Sequence, residues 1–185
     1  MIVGVTGPIC AGNNAVGEIL RKIGFERLSL SDELREYMRK RGIVINRRNM
    51  RDTADALRKE HGPGFMVSFV VKKIIPDKNY VVEAIMNPRE ISELKKLNNF
   101  YLIKVDAPVK IRFNRLLRRN RDPDEPKTFE AFVEWEKRDL GVGQPKHGLH
   151  RAECFELADF IVVNDGTLND LCDKIRDIIG KIKSD

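Results

Sequence analysis

Residues 2 to 23 read IVGVTGPICAGNNAVGEILRKI. The β-branched start predicts a buried strand, and the apolar spacing from Asn14 to Ile23 predicts an amphipathic helix. Between them, Gly7 and Gly12 are separated by four residues, which is the spacing of a phosphate-binding loop that leads into a helix N-terminus. The same two glycines also fit a simple tight turn, so this stretch by itself leaves both interpretations open.

Two positions depart from the phosphate-loop pattern. Asn13 and Asn14 stand where the motif has Lys followed by Ser or Thr. The Lys would reach the β- and γ-phosphates and the hydroxyl would reach Mg²⁺, whereas asparagine supplies neither a charge nor a hydroxyl. Backbone N–H groups do not depend on side-chain identity, so we expect the loop to keep its recognition of phosphate. Cys10 lies near the predicted helix N-terminus, which would lower the pKa of its thiol; a passive loop residue is the alternative.

Composition limits the class of protein. With 185 residues and 42% hydrophobic content, the chain has enough apolar material for one sizeable core. The net charge of +6 indicates attraction to phosphate-bearing partners without distinguishing nucleotides, coenzymes, nucleic acids and anionic membranes. The three cysteines form no CxxC pattern, and neither a signal peptide nor a membrane-spanning run is recognisable. We therefore expect a cytoplasmic protein with no membrane partner.

Short β-branched runs alternate with longer amphipathic stretches along the chain. This alternation is typical of an α/β fold in which a parallel sheet is joined by crossover helices. The predicted strands are Ile2 to Thr6, Glu26 to Leu30, Tyr80 to Ile85, Phe100 to Val105 and Phe160 to Val163. The predicted helices are Asn14 to Ile23, Ser31 to Arg41, Asn49 to Glu60, Phe65 to Ile74, Pro88 to Leu97, Pro108 to Arg119, Phe129 to Leu140 and Leu168 to Ile182.

Asp32 follows the second predicted strand, at the edge where open α/β sheets bind their ligands. A carboxylate at that place would orient or deprotonate an acceptor hydroxyl. Its alternative role is that of an acidic residue in the first turn of a helix, where it complements the helix dipole. The stretch LSLSDELREY (28 to 37) does not choose between these two roles.

A stripe of arginines follows helical spacing. Arg112, Arg115 and Arg119 lie at positions i, i+3 and i+7 of one predicted helix. Such a stripe would clamp a transferring phosphoryl group. A solvated basic face and a contact with nucleic acid are the alternatives.

Two weaker clusters complete the candidates. Arg47, Arg48 and Arg51 stand at or near the start of another helix, where they would receive an anionic substrate or form ordinary surface charge. His147, His150 and Cys154 have a loosely metal-like spacing but lack a fourth ligand, so we expect no metal site.

Taken together, these stretches resemble the P-loop kinases that phosphorylate small nucleotides, most closely the dephospho-CoA kinase-like and deoxynucleoside monophosphate kinase-like branch. The matching segments are MIVGVTGPICAG (1 to 12), SLSDELRE (29 to 36), VVEAIMNPREI (81 to 91), YLIKVDAPVKIRFNRLLRR (101 to 119) and ELADFIVVNDGTLNDL (156 to 171). The resemblance implies a single three-layer P-loop kinase domain over residues 1 to 185, with a five-stranded parallel sheet. It also implies an acceptor-binding helical region at residues 31 to 75 and a lid at residues 119 to 147.

The resemblance further implies roles for individual residues. ATP, accompanied by Mg²⁺ in an active enzyme, would lie on Gly7, Ala11, Gly12, Asn13 and Asn14, with its adenine near Asn164, Asp165, Gly166 and Thr167. The catalytic group would comprise Asp32, Arg115 and Arg119, and Arg48 would contact the acceptor. Glu83 would contact the acceptor or serve as an acid on the metal side.

Two hypotheses follow from the matches and the departures. An active phosphotransferase would use a nucleoside monophosphate or dephospho-CoA as acceptor, with Arg119 or Arg121 as the substitute cation. A catalytically impaired kinase-like fold would bind a nucleotide or a protein partner, and it is favoured by Asn13, Asn14 and Met86, which replace the expected Lys, Ser/Thr and Arg. A nucleic-acid-binding module ranks last because no recognised motif and no aromatic residues accompany the arginines.

Overall fold

The structure is a computed structural model that describes residues 1 to 119 and 125 to 184. Within these residues a five-stranded sheet has the order β2-β3-β1-β4-β5, and every neighbouring pair of strands is parallel. The strands are β1 (Ile2–Thr6), β2 (Glu26–Ser29), β3 (Tyr80–Glu83), β4 (Phe100–Asp106) and β5 (Phe160–Val163). The predicted five-stranded parallel sheet is confirmed.

Helices connect the strands and cover the sheet. They are α1 (Asn13–Lys22), α2 (Leu30–Lys40), α3 (Arg47–His61), α4 (Ser68–Val71), α5 (Pro88–Lys95), α6 (Val109–Arg119), α7 (Phe129–Leu140), α8 (Arg151–Phe155) and α9 (Leu168–Ser184). The single helix predicted from Phe65 to Ile74 is a 3-10 turn, Phe65–Val67, followed by the short α4. Helix α8 was not predicted, because five residues are too few for a helical period to be recognised.

The core has two layers, one on each face of the sheet. Alternate residues of β3 illustrate the division: Tyr80 and Val82 pack into one layer, and Val81 packs into the other. One layer contains residues of α2, α3 and α5, and the opposite layer contains residues of α1 and α9. Cover on both faces explains why the inner strands β1 and β3 are buried along their whole length and are mostly apolar.

The parallel arrangement brings the carboxyl ends of all five strands to one edge, which we call the carboxyl edge. Residues 7 to 14, named here the glycine loop, follow the central strand β1 at this edge. Asp32, Glu83 and Asn164 follow or end the strands β2, β3 and β5. The glycine loop therefore lies at the middle of the edge where ligands of open α/β sheets bind.

The predicted acceptor-binding region, residues 31 to 75, corresponds to α2, α3 and α4. The predicted lid, residues 119 to 147, contains α7, while residues 120 to 124, including the candidate cation Arg121, lie outside the described part of the chain. Among the helices of the described residues, none combines the length and the apolar composition needed to cross a bilayer.

Candidate functional site

Side chains from distant parts of the chain donate to the backbone carbonyl groups of the glycine loop. The donors come from the loop itself, from α6 and from the residue after β5. The bonds run from Asn13 Nδ2 to Gly7 O (3.2 Å) and Pro8 O (3.4 Å), from Arg112 Nη1 to Ile9 O (3.4 Å), from Arg115 Nη1 to Cys10 O (3.4 Å) and Ala11 O (3.1 Å), and from Asn164 Nδ2 to Ala11 O (2.7 Å). Each carbonyl from Gly7 to Ala11 thus has a side-chain donor.

The N-terminus of α1 adjoins this loop and has no capping side chain. Gly12 occupies the N-cap position with φ near +115°, so the first-turn N–H groups meet no side-chain acceptor there. Unsatisfied N–H groups carry the positive end of the helix dipole and attract anions. With its carbonyl groups already paired and its helix end uncapped, the glycine loop has the chemistry of an anion cradle.

Both glycines of the loop are required by their neighbours. A Cβ added at Gly12 would overlap Asn164 Nδ2, and one added at Gly7 would overlap the backbone oxygen of Val105. The spacing of the two glycines is therefore set by close approach of the loop to β4 and to the residue that follows β5.

The side chain of Asn13 helps to hold the glycine loop in its conformation. Its amide nitrogen holds the loop carbonyls, while its buried Oδ1 has no hydrogen-bond partner among the described residues. Asn14 is exposed at the start of α1. Cys10 is a passive loop residue rather than an activated thiol, because burial raises its pKa and the cation Arg119 only partly offsets that effect.

The predicted arginine stripe packs against the glycine loop. Arg112 is 7% exposed and donates to both carboxylate oxygens of Glu136 on α7, and Arg115 also donates to Asn164 O at 3.0 Å. Arg119 pairs with the buried Glu125 and keeps a third of its side chain exposed. The stripe is therefore an ion-paired connection among α6, α7 and the loop, and it is not a solvated basic face.

On the acceptor side, one arginine links two carboxylates. Arg27 donates to Glu83 Oε2 from Nε (2.8 Å) and Nη2 (2.6 Å) and to Asp32 Oδ2 from Nη1 (3.1 Å). Arg35 donates to the other oxygen of Asp32 at 2.6 Å. Sequence reasoning missed Arg27; the available signal was a cation inside a strand whose neighbours on the sheet are apolar.

The two carboxyl groups have pKa values shifted in opposite directions. Burial opposes ionisation of Asp32, but the guanidiniums of Arg27 and Arg35 outweigh it and hold the pKa of Asp32 below its usual range. For Glu83 burial is the larger effect and raises the pKa, although Arg27 opposes the shift. Two neighbouring carboxyls with divergent pKa values are typical of sites in which one group remains ionised.

The other predicted site residues do not all lie at the glycine loop or beside Asp32. Asn164 is buried against the glycine loop, whereas Gly166 and Thr167 are exposed, and Thr167 caps α9 through Asp170. Arg48 is 84% exposed in its side chain, and its ion-pair partner is Asp52 on the same helix. The structure therefore does not bring Arg48 to the group around Asp32.

In the predicted cluster of His147, His150 and Cys154, the last two side chains have environments that do not suit a metal ligand. His150 lies 2.6 Å from Glu153 and 2.8 Å from the carbonyl of Pro145, and burial raises the pKa of Cys154 to about 12. Across residues 1 to 119 and 125 to 184, no group of three or more His, Cys, Asp or Glu side chains is arranged to hold a metal ion.

Comparison with known proteins gives the family. No protein-family model matches the chain. The UPF0200 protein of Pyrococcus horikoshii is 32% identical over 191 aligned residues, which cover 100% of this chain and 98% of that protein. The chain belongs to the UPF0200 family. The UPF0200 protein of Methanocaldococcus jannaschii is 31% identical over 186 residues, covering 98% of this chain and 90% of the relative.

The fold of this UPF0200 chain is similar to solved structures of P-loop kinases. Shikimate kinase from Acinetobacter baumannii matches with a TM-score of 0.57 and 19% identity over 97% of this chain and 93% of the kinase. Dephospho-CoA kinase from Campylobacter jejuni matches with a TM-score of 0.54 and 15% identity over 98% and 96% of the two chains. TT1252 from Thermus thermophilus has a TM-score of 0.65 and 19% identity over 98% and 97%. The predicted P-loop kinase fold is confirmed for this UPF0200 chain.

Proposed function

We propose that this UPF0200 chain binds ATP on the glycine loop and transfers its γ-phosphoryl group slowly to a small nucleotide or coenzyme precursor. The observation that carries the proposal is the pairing of every carbonyl from Gly7 to Ala11 with a side-chain donor. A loop held in this way keeps N–H groups, and not carbonyl oxygens, for the phosphates. The named activities of the similar structures, shikimate kinase and dephospho-CoA kinase, support the same class of reaction.

The nucleotide would lie along the carboxyl edge from β1 to β5. Its phosphates would accept from the N–H groups of the glycine loop and of the first turn of α1. Its base would lie beside residues 164 to 167, which reach the loop through the bond from Asn164 to Ala11. Mg²⁺ would arrive with the nucleotide, and the exposed amide oxygen of Asn14 is an oxygen ligand of the kind that Mg²⁺ accepts.

The acceptor would approach from the β2 side of the edge, where Asp32 is held ionised. Its hydroxyl oxygen would attack the γ-phosphorus, the bond from that phosphorus to the bridging oxygen would break, and ADP would leave. Asp32 would orient the hydroxyl and take its proton. A carboxylate with a lowered pKa is a weak base, so its main contribution is orientation.

Transfer would be slow because the glycine loop lacks its cation. Arg112 and Arg115 already donate to Glu136 and to backbone carbonyls, and Arg119 is paired with Glu125. Loss of one preorganised donor to a transferring group lowers the rate by about 10² to 10³. The second hypothesis, a kinase-like fold that binds nucleotide or a protein partner without transfer, is favoured by the amide of Asn13, which is hydrogen-bonded into the loop.

The test combines binding and turnover. Calorimetry with Mg·ATP should give saturable heat with the unchanged chain. Turnover with a panel of nucleoside monophosphates and dephospho-CoA should rise by about 10² or more in Asn13→Lys, because the substitution restores the cation. Asn98→Lys is the matched control: it adds the same charge at an exposed position before β4, at the opposite edge of the sheet.

Three outcomes distinguish the hypotheses. Measurable transfer by the unchanged chain would contradict the impaired hypothesis, and fast transfer would also contradict the slow rate proposed for the loop without its Lys. Binding without transfer in either version would favour the impaired hypothesis. Absence of both heat and turnover in the unchanged chain and in Asn13→Lys would overturn nucleotide binding altogether.

A further inference from the structure

A groove between α5 and the end of α3 has no part in the proposed phosphoryl transfer. It encloses about 600 Å³ and is bounded by α5, the last residue of α3, the turn at residues 62 to 64 and the start of α4. The described residues that line it include no member of the glycine loop or of the arginine stripe, and neither Asp32 nor Glu83. We call this space the α5 groove.

The apolar part of the α5 groove is aromatic and aliphatic. The rings of His61 and Phe65 lie 4.4 Å apart between centroids, and Val71 and Leu97 also line the groove. Phe65, Val71 and Leu97 pack against the core layer of α2, α3 and α5 but are only partly buried. An apolar molecule in the groove would remove their remaining apolar surface from water.

The charged part of the α5 groove lies along one face of α5 and the residues that follow it. Arg89, Glu93 and Lys96 have the spacing i, i+4 and i+7. Lys96 Nζ lies 2.8 and 2.6 Å from the two carboxylate oxygens of Glu93, so these two charges compensate each other. Within residues 1 to 119 and 125 to 184, the guanidinium of Arg89 has no carboxylate or other acceptor. Of the Arg, Lys and Glu side chains in the groove, one cation is therefore left uncompensated.

The dimensions of the α5 groove favour a small molecule over a helix of a partner protein. A Cβ added at Gly64 would lie 2.8 Å from Glu93 Cγ and 3.1 Å from Arg89 O, so the turn at residues 62 to 64 lies directly against α5 and limits the groove. Pockets for small organic ligands enclose about 300 to 1,000 Å³, and the α5 groove falls within that range.

We propose that the α5 groove binds an organic monoanion with an aromatic or aliphatic body, such as a carboxylic acid in its ionised form. The body would pack on Phe65, Val71 and Leu97, and the anionic group would accept from Arg89. The hydroxyl of Ser68, which also lines the groove, is a neutral donor for the same ligand. The uncompensated cation selects an anion over a neutral molecule of the same shape. This binding does not depend on ATP binding or on phosphoryl transfer.

Fluorescence titration of the full chain with anilinonaphthalene sulfonate tests the groove, because this probe has an aromatic body and one anionic group. The probe should saturate at one molecule per chain. Arg89→Gln should raise its dissociation constant about five- to tenfold, because a charge-assisted hydrogen bond is lost. The uncharged analogue N-phenylnaphthylamine should bind Arg89→Gln and the unchanged chain equally. Arg138→Gln makes the same change at an exposed position of α7 outside the groove and should affect neither probe.

A second pair of variants tests the apolar part of the groove. Ser68→Phe places a ring inside the groove and should weaken binding of both probes. Ser92→Phe adds the same ring at an exposed position of α5 that does not line the groove, and it should weaken neither.

Equal affinity of the sulfonate for Arg89→Gln and for the unchanged chain, or equal weakening by Arg89→Gln and Arg138→Gln, would overturn the proposal. Displacement of the sulfonate by Mg·ADP would also overturn it, because the probe would then lie on the glycine loop. Sedimentation equilibrium is the last measurement: self-association that the sulfonate reverses would assign the groove to a second copy of the chain instead. Failure of Mg·ADP to bind would contradict the proposed function alone, since the probe titrations need no nucleotide.

Discussion

Among single residues, two carboxyls that share the guanidinium of Arg27 have pKa values shifted in opposite directions. Glu83 is 3% exposed, and burial raises its pKa in spite of the bond from Arg27. Asp32 is more accessible and has a second guanidinium, that of Arg35, on its other oxygen. The balance between burial and paired charge therefore decides which carboxyl stays ionised as the pH falls.

We predict that Arg35→Gln raises the pKa of Asp32 toward its ordinary value of 3.8. Carbon-detected NMR titration of the carboxyl groups measures this value, and Arg39→Gln on the exposed face of α2 is the control that should leave it unchanged. Because the pKa of Asp32 is lowered in the folded chain, its ionised form contributes stability above pH 3.8, and this is lost as the pH falls through the folded value.

The pKa shift of Glu83 has the opposite effect on how stability depends on pH. Its pKa is raised above 4.5 in the folded chain, so stability decreases as the pH rises from 4.5 through the folded value. Titration of Glu83 below Asp32 would contradict the assigned environments of both residues.

Among the helices and strands, α1 contains a glycine at a position where a side chain would not fit. Gly17 lies in the middle of this helix, and a Cβ there would overlap Glu83 Oε1. Helix α1 packs against β3 and α9 at this level, so the carboxyl of Glu83 occupies the space next to the helix backbone. Glycine is a poor helix former, and its presence here is explained by that close approach.

We predict opposite effects for two glycine-to-alanine substitutions in helices. Gly17→Ala should lower the free energy of unfolding by about 1 to 3 kcal/mol, because Glu83 must move. Gly180→Ala should raise it by about 0.5 to 1 kcal/mol, because nothing lies within 4 Å of the added methyl group in α9. Urea unfolding measures both values. Stabilisation by both substitutions would show that Glu83 does not pack against Gly17.

At the scale of the whole molecule, one buried carboxylate joins three parts of the fold. Glu90 is fully buried and accepts from Arg58 Nε (3.1 Å) and Nη2 (2.8 Å) on α3. Its other oxygen accepts from the backbone N–H groups of Met86 (2.8 Å) and Asn87 (3.1 Å). The Met86 carbonyl in turn accepts from the N–H of His150, which precedes α8. Glu90 therefore fixes the turn after β3 between the acceptor-side helices and α8.

We predict that Glu90→Gln lowers the free energy of unfolding by about 3 to 5 kcal/mol, because it leaves the buried Arg58 with only the longer pair to Asp55, at 3.4 Å. Chemical denaturation with circular dichroism measures the loss. Glu93→Gln on the same helix removes only a surface pair with Lys96 and should cost less than about 1 kcal/mol. Similar costs for the two substitutions would contradict the role given to Glu90.

Much of the fold was predictable because it depends on local chemistry. The five strands agree with the sequence prediction to within two residues at each end. For four of them the reason is that short runs containing β-branched and aromatic residues, bounded by polar turns, are recognisable in a short window. The glycine loop was also predictable, because the spacing of Gly7 and Gly12 is that of a loop leading from a strand into a helix N-terminus. The short α8 and the broken helix near Phe65 were missed, since neither presents a full helical period.

The candidate site was less predictable than the fold. The spacing in the sequence placed Arg112 and Arg115 on one face of a helix. It did not indicate which acceptors the two side chains reach. Arg115 contacts a loop 104 residues earlier in the chain, and Asn164 contacts Ala11 across 153 residues. Arg27 was missed because its partners, Asp32 and Glu83, meet only where β2 and β3 end side by side.

Residue types and short spacings were enough to predict the succession of strands and helices, the glycine loop after β1, and the replacement of the motif's Lys by Asn13. Each of these follows from residue type and spacing within a few positions. The folded structure was needed to show which arginines hold the loop, which carboxyl keeps its charge as the pH falls, and where Asp139 pairs with both Arg47 and Arg151. The physical reason is that the partners of long charged side chains are chosen by packing between elements far apart in the chain, and the burial that shifts their pKa values exists only after that packing.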